Sequence, residues 1–282
     1  MVNNKYDMGA TQVVTHREDQ LFEIFHENTK LSRHNEHKTG RQVRTILSNP
    51  NLLAMLSRGH LRFEHLPRVP LSREFPPTQC SLEEAIGRRR SLREYTSEPL
   101  ALEQVSQLLH LSYGVTGSWE FSEGIQNVRA APSAGGLFPL ELYLIARNVD
   151  GLPQGVYHYN VPDHALERLP GPNDLSAAMA EVSHYEATLA GAAALFVVTG
   201  VFDRTTFKYG DRGYRFVLLD AGHMAQNMLL TATALGLGAA PFGGFRDDPL
   251  SRLVGADGVN EAALYLICVG HPRPNERPLR GD

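Results

Sequence analysis

The 282-residue chain carries 27 Lys and Arg against 31 Asp and Glu, a formal net charge of −4, with 42% hydrophobic and 21% charged residues. That composition supports a globular core in one large domain, or one domain with an extension, and it excludes a general attraction to nucleic acid or acidic membrane surfaces. Two cysteines, Cys80 and Cys268, exclude a disulfide framework, and the opening MVNNKYDMGATQ lacks the basic-then-apolar layout of a signal peptide, so a reducing cytoplasmic setting is expected.

Residues 1–78 are polar, rich in His and Arg, and poor in long apolar runs; they form an expected N-terminal helical and extended region ahead of a main domain over 79–282. Leu21, Phe22, Ile24 and Phe25 suggest one short helix. Val43, Ile46, Leu47, Leu52, Leu53, Met55 and Leu56 suggest another around the Asn49-Pro50 break. His34 and His37 stand three apart, but no Cys or carboxylate cluster completes a metal site, so none is expected. Four prolines between Pro67 and Pro77 predict an extended connector.

Ser81 followed by Glu84 is a capping box, and it predicts a helix that runs toward the arginines at 88, 89, 90 and 93. Leu102–Tyr113 reads as a helix with Val105, Leu108, Leu109 and Ser112 on one face, ended by Gly114. Thr116–Asn127 is polar and loop-like. Strands are expected at 140–146, 155–159, 165–169, 192–201 and 263–269, and a helix at 174–182. The run Tyr214–Leu237 has helical density and almost no polar face; Asp220, His223, Gln226 and Asn227 argue against a membrane span, so it is expected to be a buried central helix. Strands and helices interleave without regular βαβ spacing, which favours an α+β fold.

Four stretches could carry chemistry. Arg88–Arg93 supplies guanidinium forks and Ser91 at a helix end, suited to a phosphate, although a solvated basic helix end has the same composition. Pro132-Ser133-Ala134-Gly135-Gly136 would let a flat ligand approach the backbone, or simply turn into the next strand. Lys208-Tyr209 pairs an ammonium with a phenol whose pKa it could lower, making a proton acceptor, unless it is a surface dipeptide in a charged loop. Pro241-Phe242-Gly243-Gly244-Phe245 again suits a planar ring or a bland loop. No phosphate-cradling GxGxxG or GxxxxGK[ST], nucleophile elbow, HExxH or CxxC is present.

Three longer segments hold these stretches in order: RRRSLREYTSEPLALEQVSQLLHLSYGVTG, RAAPSAGGLFPLELYLIARNVDGLPQGVYHYN and KYGDRGYRFVLLDAGHMAQNMLLTATALGLGAAPFGGF. Over about 80–280 the chain resembles the SagB-type dehydrogenases, a branch of the nitroreductase superfamily, and FHENTKLS at 25–32 resembles their N-terminal lead-in. The resemblance implies a nitroreductase-like fold, a mixed, mainly antiparallel sheet flanked by helices with the central helix in the core of a homodimer. It implies FMN at the dimer interface. Arg89, Arg90, Ser91 and Arg93 would hold its phosphate and ribityl chain, with help from Arg273 or Arg277. Pro132, Ser133, Ala134, Gly135 and Gly136 would line the flavin from the partner chain, and Gly243 and Gly244 would lie near its ring. Lys208 and Tyr209 would be catalytic in oxidising thiazoline or oxazoline rings of a peptide or carrier-bound intermediate, with dioxygen as electron acceptor and cyclodehydratase or assembly-line proteins as partners. The alternative is an NAD(P)H-dependent nitroreductase or quinone reductase.

Overall fold

A computed structural model describes residues 20–49, 59–78, 80–121, 124–183 and 186–274. The predicted apolar positions 52–56 and Arg277 lie outside that range. In chain order come α1 (Leu21–Asn28), α2 (Glu36–Leu47), β1 (Arg68–Pro70), α3 (Leu82–Arg88), α4 (Leu102–Tyr113), β2 (Val115–Phe121), β3 (Gly124–Arg129), β4 (Leu140–Ala146), β5 (Gly155–Asn160), β6 (Ala165–Arg168), α5 (Leu175–Val182), α6 (Glu186–Gly191), β7 (Ala194–Val201), α7 (Asp203–Tyr209), α8 (Gly213–Ala234), β8 (Gly238–Phe242), α9 (Asp247–Leu253) and β9 (Glu261–Gly270).

The strands build a seven-stranded sheet in the order β1-β6-β5-β4-β7-β9-β8, each neighbouring pair antiparallel, with β2–β3 as a separate hairpin. Two-residue periodicity splits its central strands between two cores. Leu140, Leu142, Leu144, Phe196 and Val198 face one side and pack with α4 and α8. Tyr143, Ile145, Leu195 and Val197 face the other and pack with α5, α6 and α9. The α+β expectation therefore holds, and β1 shows that the Pro-rich connector contributes an edge strand to the same sheet.

Half of the capping box at Ser81 forms: Glu84 N donates to Ser81 Oγ at 3.1 Å, while the Glu84 carboxylate accepts from Arg88 Nη1 at 2.7 Å instead of returning to the cap. The polar stretch 116–127, expected as a loop, is the β2–β3 hairpin, with Trp119 and Ile125 exposed. Helix α8 buries Val217, Ala221, Met224, Ala225 and Met228 on one side only. Residues 218, 219, 222, 223 and 226, all on the opposite face, are exposed. That face mixes Leu218, Leu219 and Gly222 with His223 and Gln226, so in the single chain the helix expected to be buried all round is covered on one side only. At its start, Arg212 and Arg215 donate to Thr29 O and His26 O at the C-terminal end of α1, and Phe25 meets Tyr214 edge-on at 5.6 Å. The lead-in at 25–32 thus docks on the entrance to α8.

Beneath the segment 59–64 lies a buried charge network. His158 sits between Glu141 and Glu167, 3.0 Å from each. Glu141 also receives Leu61 N at 2.8 Å and the Arg204 guanidinium at 2.6 Å, a charge contact rather than an aligned hydrogen bond. Glu167 receives Phe63 N at 3.1 Å and Asn160 Nδ2 at 2.8 Å. Burial favours neutral His158, but the two carboxylate hydrogen bonds outweigh it and raise its pKa to about 9. Burial would likewise raise Glu141, but Arg204 and His158 hold it down at about 2. A raised histidine contributes stability that is complete below its unfolded pKa and is lost as pH rises through the folded one. Denaturant midpoints are expected to fall as pH rises from about 6.5 toward 9, more steeply than in His158→Gln. Glu141→Ala, which strands Arg204 and His158, is expected to cost about 3–5 kcal/mol in equilibrium unfolding.

Candidate active site

Helix α7 follows β7 directly, so Arg204 reaches back to Glu141 while Lys208 and Tyr209 sit one turn later at its C-terminal end. The pair was expected in a loop if it was a surface dipeptide. Instead Lys208 is buried, and the Tyr209 ring packs edge-on against Phe216 of α8 at 5.0 Å. Lys208 Nζ lies 5.4 Å from the centre of the Tyr209 ring.

Both side chains meet the Pro132–Gly136 stretch, which forms a 3-10 turn over Ala134–Gly136. Gly135 has φ +65°, and a Cβ there would stand 2.5 Å from the Tyr209 hydroxyl and 2.7 Å from Lys208 Nζ. The glycine is therefore required twice, by its backbone and by the catalytic candidates pressed against it. Gly136 is also left-handed, and its carbonyl accepts from Gln126 Nε2 of the hairpin at 2.6 Å. Ser133 Oγ accepts from Phe138 N at 2.9 Å. Asp220 of α8 is buried, which raises its pKa against the opposing influence of Ser133 and the Ala134 backbone. Gln126 and Asp220 were not among the sequence candidates. A carboxylate inside an otherwise apolar helix was the available signal for Asp220.

The neighbouring ammonium was expected to lower the Tyr209 pKa. The fold does the opposite: burial, then the Asp220 carboxylate, raise it. Burial lowers Lys208. Burial thus disfavours the charged form of both groups.

The arginine stretch gathers elsewhere. Ser91 bridges Ala239 of β8, and Leu92 N donates to Ala239 O at 3.0 Å. The Arg93 guanidinium lies 5.7 Å from the Phe242 ring, at the end of β8 where Gly243 and Gly244 begin. Arg90 Nη1 donates to Gly87 O and Arg89 O. Arg273 joins this group, its Nε on Tyr95 O at 3.2 Å. A Cβ on Gly243 would meet nothing within 4 Å, so the backbone there faces open space. Guanidinia beside an exposed glycine backbone are a donor set that fits an anionic phosphate attached to a flat ring. Cys268 lies in the core, its thiol pushed up by burial. Among the described residues no cluster of His, Cys, Asp or Glu could hold a metal ion, and no helix is long and apolar enough to cross a membrane.

Residues 86–271 match the model of the nitroreductase family, two-thirds of the chain. The chain belongs to the nitroreductase family. A nitroreductase of this family, MJ1384 of Methanocaldococcus jannaschii, is 36% identical over 192 residues, 68% of this chain and 91% of that protein. The microcin B17-processing protein McbC of Escherichia coli is 31% identical over 146 residues, half of this chain and 54% of McbC. The trifolitoxin-processing protein TfxB of Rhizobium leguminosarum bv. trifolii is 31% identical over 143 residues, 49% of this chain and 38% of TfxB. Among solved structures, a nitroreductase of Anabaena variabilis superimposes with a TM-score of 0.63 at 26% identity, over 90% of this chain and 47% of that one. The fold also matches a chain of the Escherichia coli microcin synthetase McbBCD complex, with a TM-score of 0.55 at 23% identity. The similarity to McbC and TfxB agrees with the SagB-type branch.

Nitroreductases bind FMN, and the open backbone at Gly243 beside the Arg93 guanidinium suits such a group, whereas the space beside Gly135 and Gly136 is taken by Tyr209, Lys208 and Gln126. Gly135→Ala would force Tyr209 and Lys208 aside at a left-handed backbone position. It is expected to cost about 1–2 kcal/mol and at least about tenfold in flavin-dependent turnover (about 1.4 kcal/mol per decade), read from denaturant midpoints and steady-state rates.

Proposed function

We propose that this chain is an FMN-dependent dehydrogenase that oxidises thiazoline or oxazoline rings, in a peptide or a carrier-bound intermediate, to thiazoles or oxazoles. The observation that carries the reading is the convergence of Lys208 Nζ and the Tyr209 hydroxyl on the Gly135 backbone. A group that only bound flavin would not need a buried amine there. McbC and TfxB are named for processing microcin B17 and trifolitoxin, which supports a matured natural product as substrate.

Aromatisation removes two hydrogens from the ring, one as hydride and one as proton. Bound FMN supplies the hydride acceptor, and dioxygen is the proposed final electron acceptor. Lys208 Nζ, destabilised as an ammonium by burial, takes the ring-carbon proton. Tyr209 keeps its proton and donates a hydrogen bond that orients the ring. This reverses the sequence-based assignment, in which Tyr209 took the proton. The turn at 132–136, tied to the hairpin by Gln126, forms one wall of the site.

We further propose a homodimer. The phosphate-type half at Arg89–Arg93, Arg273 and Gly243 and the proton-handling half at Gly135, Lys208 and Tyr209 stand on separate elements, and the uncovered face of α8 carries Leu218 and Leu219 beside His223 and Gln226. Two copies packed along that face would bring one half from each chain to each flavin. Docking beside cyclodehydratase or assembly-line proteins, in the cytoplasm, completes the proposal.

One observation favours a second reading: the relative aligned over the larger share of its own length, MJ1384, is named a nitroreductase. In that case NAD(P)H would reduce the flavin and a nitroaromatic or quinone would oxidise it. The two separate in one assay. Protein incubated with FMN and an azoline peptide is expected to lower the peptide mass by two hydrogens, and Lys208→Ala to slow this by about 10²–10⁴-fold while the protein stays yellow. Steady NAD(P)H consumption with nitroaromatics and an unchanged peptide mass would establish the reductase instead.

A further inference from the structure

We infer that Trp119, on the β2–β3 hairpin, is a substrate-contacting residue: its indole is the wall on which the flat azoline ring of the peptide, or the azole it becomes, stacks. This role deepens the function proposed above and rests on it for the identity of the ring; the placement of the indole does not.

The hairpin register sets that placement. Trp119 of β2 lies directly opposite Gln126 of β3. Residues facing each other across an antiparallel pair project their side chains to the same face, with Cβ atoms about 4.5–5.5 Å apart. Gln126 uses that face to reach the candidate site. Its Nε2 donates to Gly136 O at 2.6 Å, and a Cβ on Gly136 would stand 2.5 Å from the same nitrogen. Gly135, one residue earlier, meets the Tyr209 hydroxyl and Lys208 Nζ. Trp119 is therefore one cross-strand neighbour from the turn that Lys208 and Tyr209 press against, on the face of the hairpin that reaches that turn.

The hairpin is held in place around it. At its base Ala130 N donates to Gly114 O at 2.9 Å, Asn227 Nδ2 of α8 donates to Ala130 O at 3.3 Å, and Arg129 Nη2 donates to Gly59 O at 3.0 Å. A ribbon anchored at its base and again through Gln126 has little freedom left to lose when a ligand arrives. Yet Trp119 is 70% exposed. An indole offers a large apolar surface that packs on other flat rings in offset or edge-on contact. One held open beside a buried amine and a phenol is half of a slot for such a ring.

The make-up of the face selects the occupant. Side chains alternate along each strand, so Val128 shares the face of Trp119 and Gln126, while Glu120, Asn127 and Arg129 point to the other. Trp119, Gln126 and Val128 are all uncharged, which suits a neutral planar ring and not an anion such as a phosphate. A thiazoline or oxazoline within a peptide is such a ring, and its oxidised form is aromatic.

Trp119 is the chain's one tryptophan, so its emission reads the contact directly in the FMN-loaded protein. Titrated with a synthetic thiazole peptide, which carries the product ring and is not turned over, the emission is expected to change and to saturate. The same peptide with an uncyclised cysteine in place of the ring is expected to need about tenfold more for the same change. In turnover of the thiazoline peptide, Trp119→Ala is expected to raise KM by about tenfold with the loss on KM and not on kcat, and Trp119→Phe, which keeps a flat ring, to recover most of it. Both variants are expected to retain FMN and to elute from gel filtration with the unaltered protein. Emission that does not change across the thiazole-peptide titration overturns the inference. So does release of FMN from Trp119→Ala, which would put the indole on the cofactor, or a change in its oligomeric state, which would put the indole under a second copy of the chain. A thiazole peptide that moves the emission while the thiazoline peptide keeps its mass would refute the proposed reaction and leave the contact standing.

Discussion

One carboxylate, Glu141, ties together the parts of the molecule that position the candidate site. It is fully buried in β4, yet it receives the backbone of Leu61, the imidazole of His158 and the guanidinium of Arg204. Leu61 belongs to the N-terminal segment, His158 to the sheet, and Arg204 to the helix that carries Lys208 and Tyr209. A buried ion network is rarely a net source of stability compared with apolar packing, but removing one member leaves the others uncompensated. That asymmetry makes it a good locator. Helix α7 cannot slide along the sheet without withdrawing Arg204 from Glu141, and Lys208 lies one turn from that anchor.

The second constraint is the turn at 133–138. Its left-handed backbone is held by Gln126 Nε2 on the Gly136 carbonyl and by Phe138 N on Ser133 Oγ. The first of these ties it to the hairpin. Lys208 and Tyr209 press against it from α7. Pre-organisation of this kind places donor and acceptor before a substrate arrives, which is where an enzyme that relies on its cofactor for electron transfer has most to contribute.

Much of this architecture was legible from residue order. The N-cap at Ser81, the helix at 102–113, the strands at 140–146 and 194–201 and the central helix all follow from local periodicity and cap chemistry, and each appears within a few residues of its expected span. The hairpin at 115–129 was not legible, because its strands are polar and half exposed, without the alternation that marks a buried strand. Helix α7 and strand β8 were missed for different reasons. The first is short and charged and is held by a tertiary ion pair. The second is a small-residue strand that pairs with β9 and bridges Ser91. Of the candidate site, the glycines and the Lys-Tyr pair were legible as motifs, but their contact was not, since it joins positions more than seventy residues apart through a backbone shape. Gln126 acts only through that contact.

The direction of the Lys208 and Tyr209 shifts follows from the same geometry and would not follow from adjacency in the chain. Side chains of consecutive helical residues point about 100° apart, so an ammonium next to a phenol in sequence need not face its oxygen. Here the ammonium lies 5.4 Å from the ring centre, and no charge interaction with Lys208 offsets the burial of the phenol. Burial, with a smaller contribution from the Asp220 carboxylate, raises the phenol, and burial lowers the amine, so the charged form of each is disfavoured.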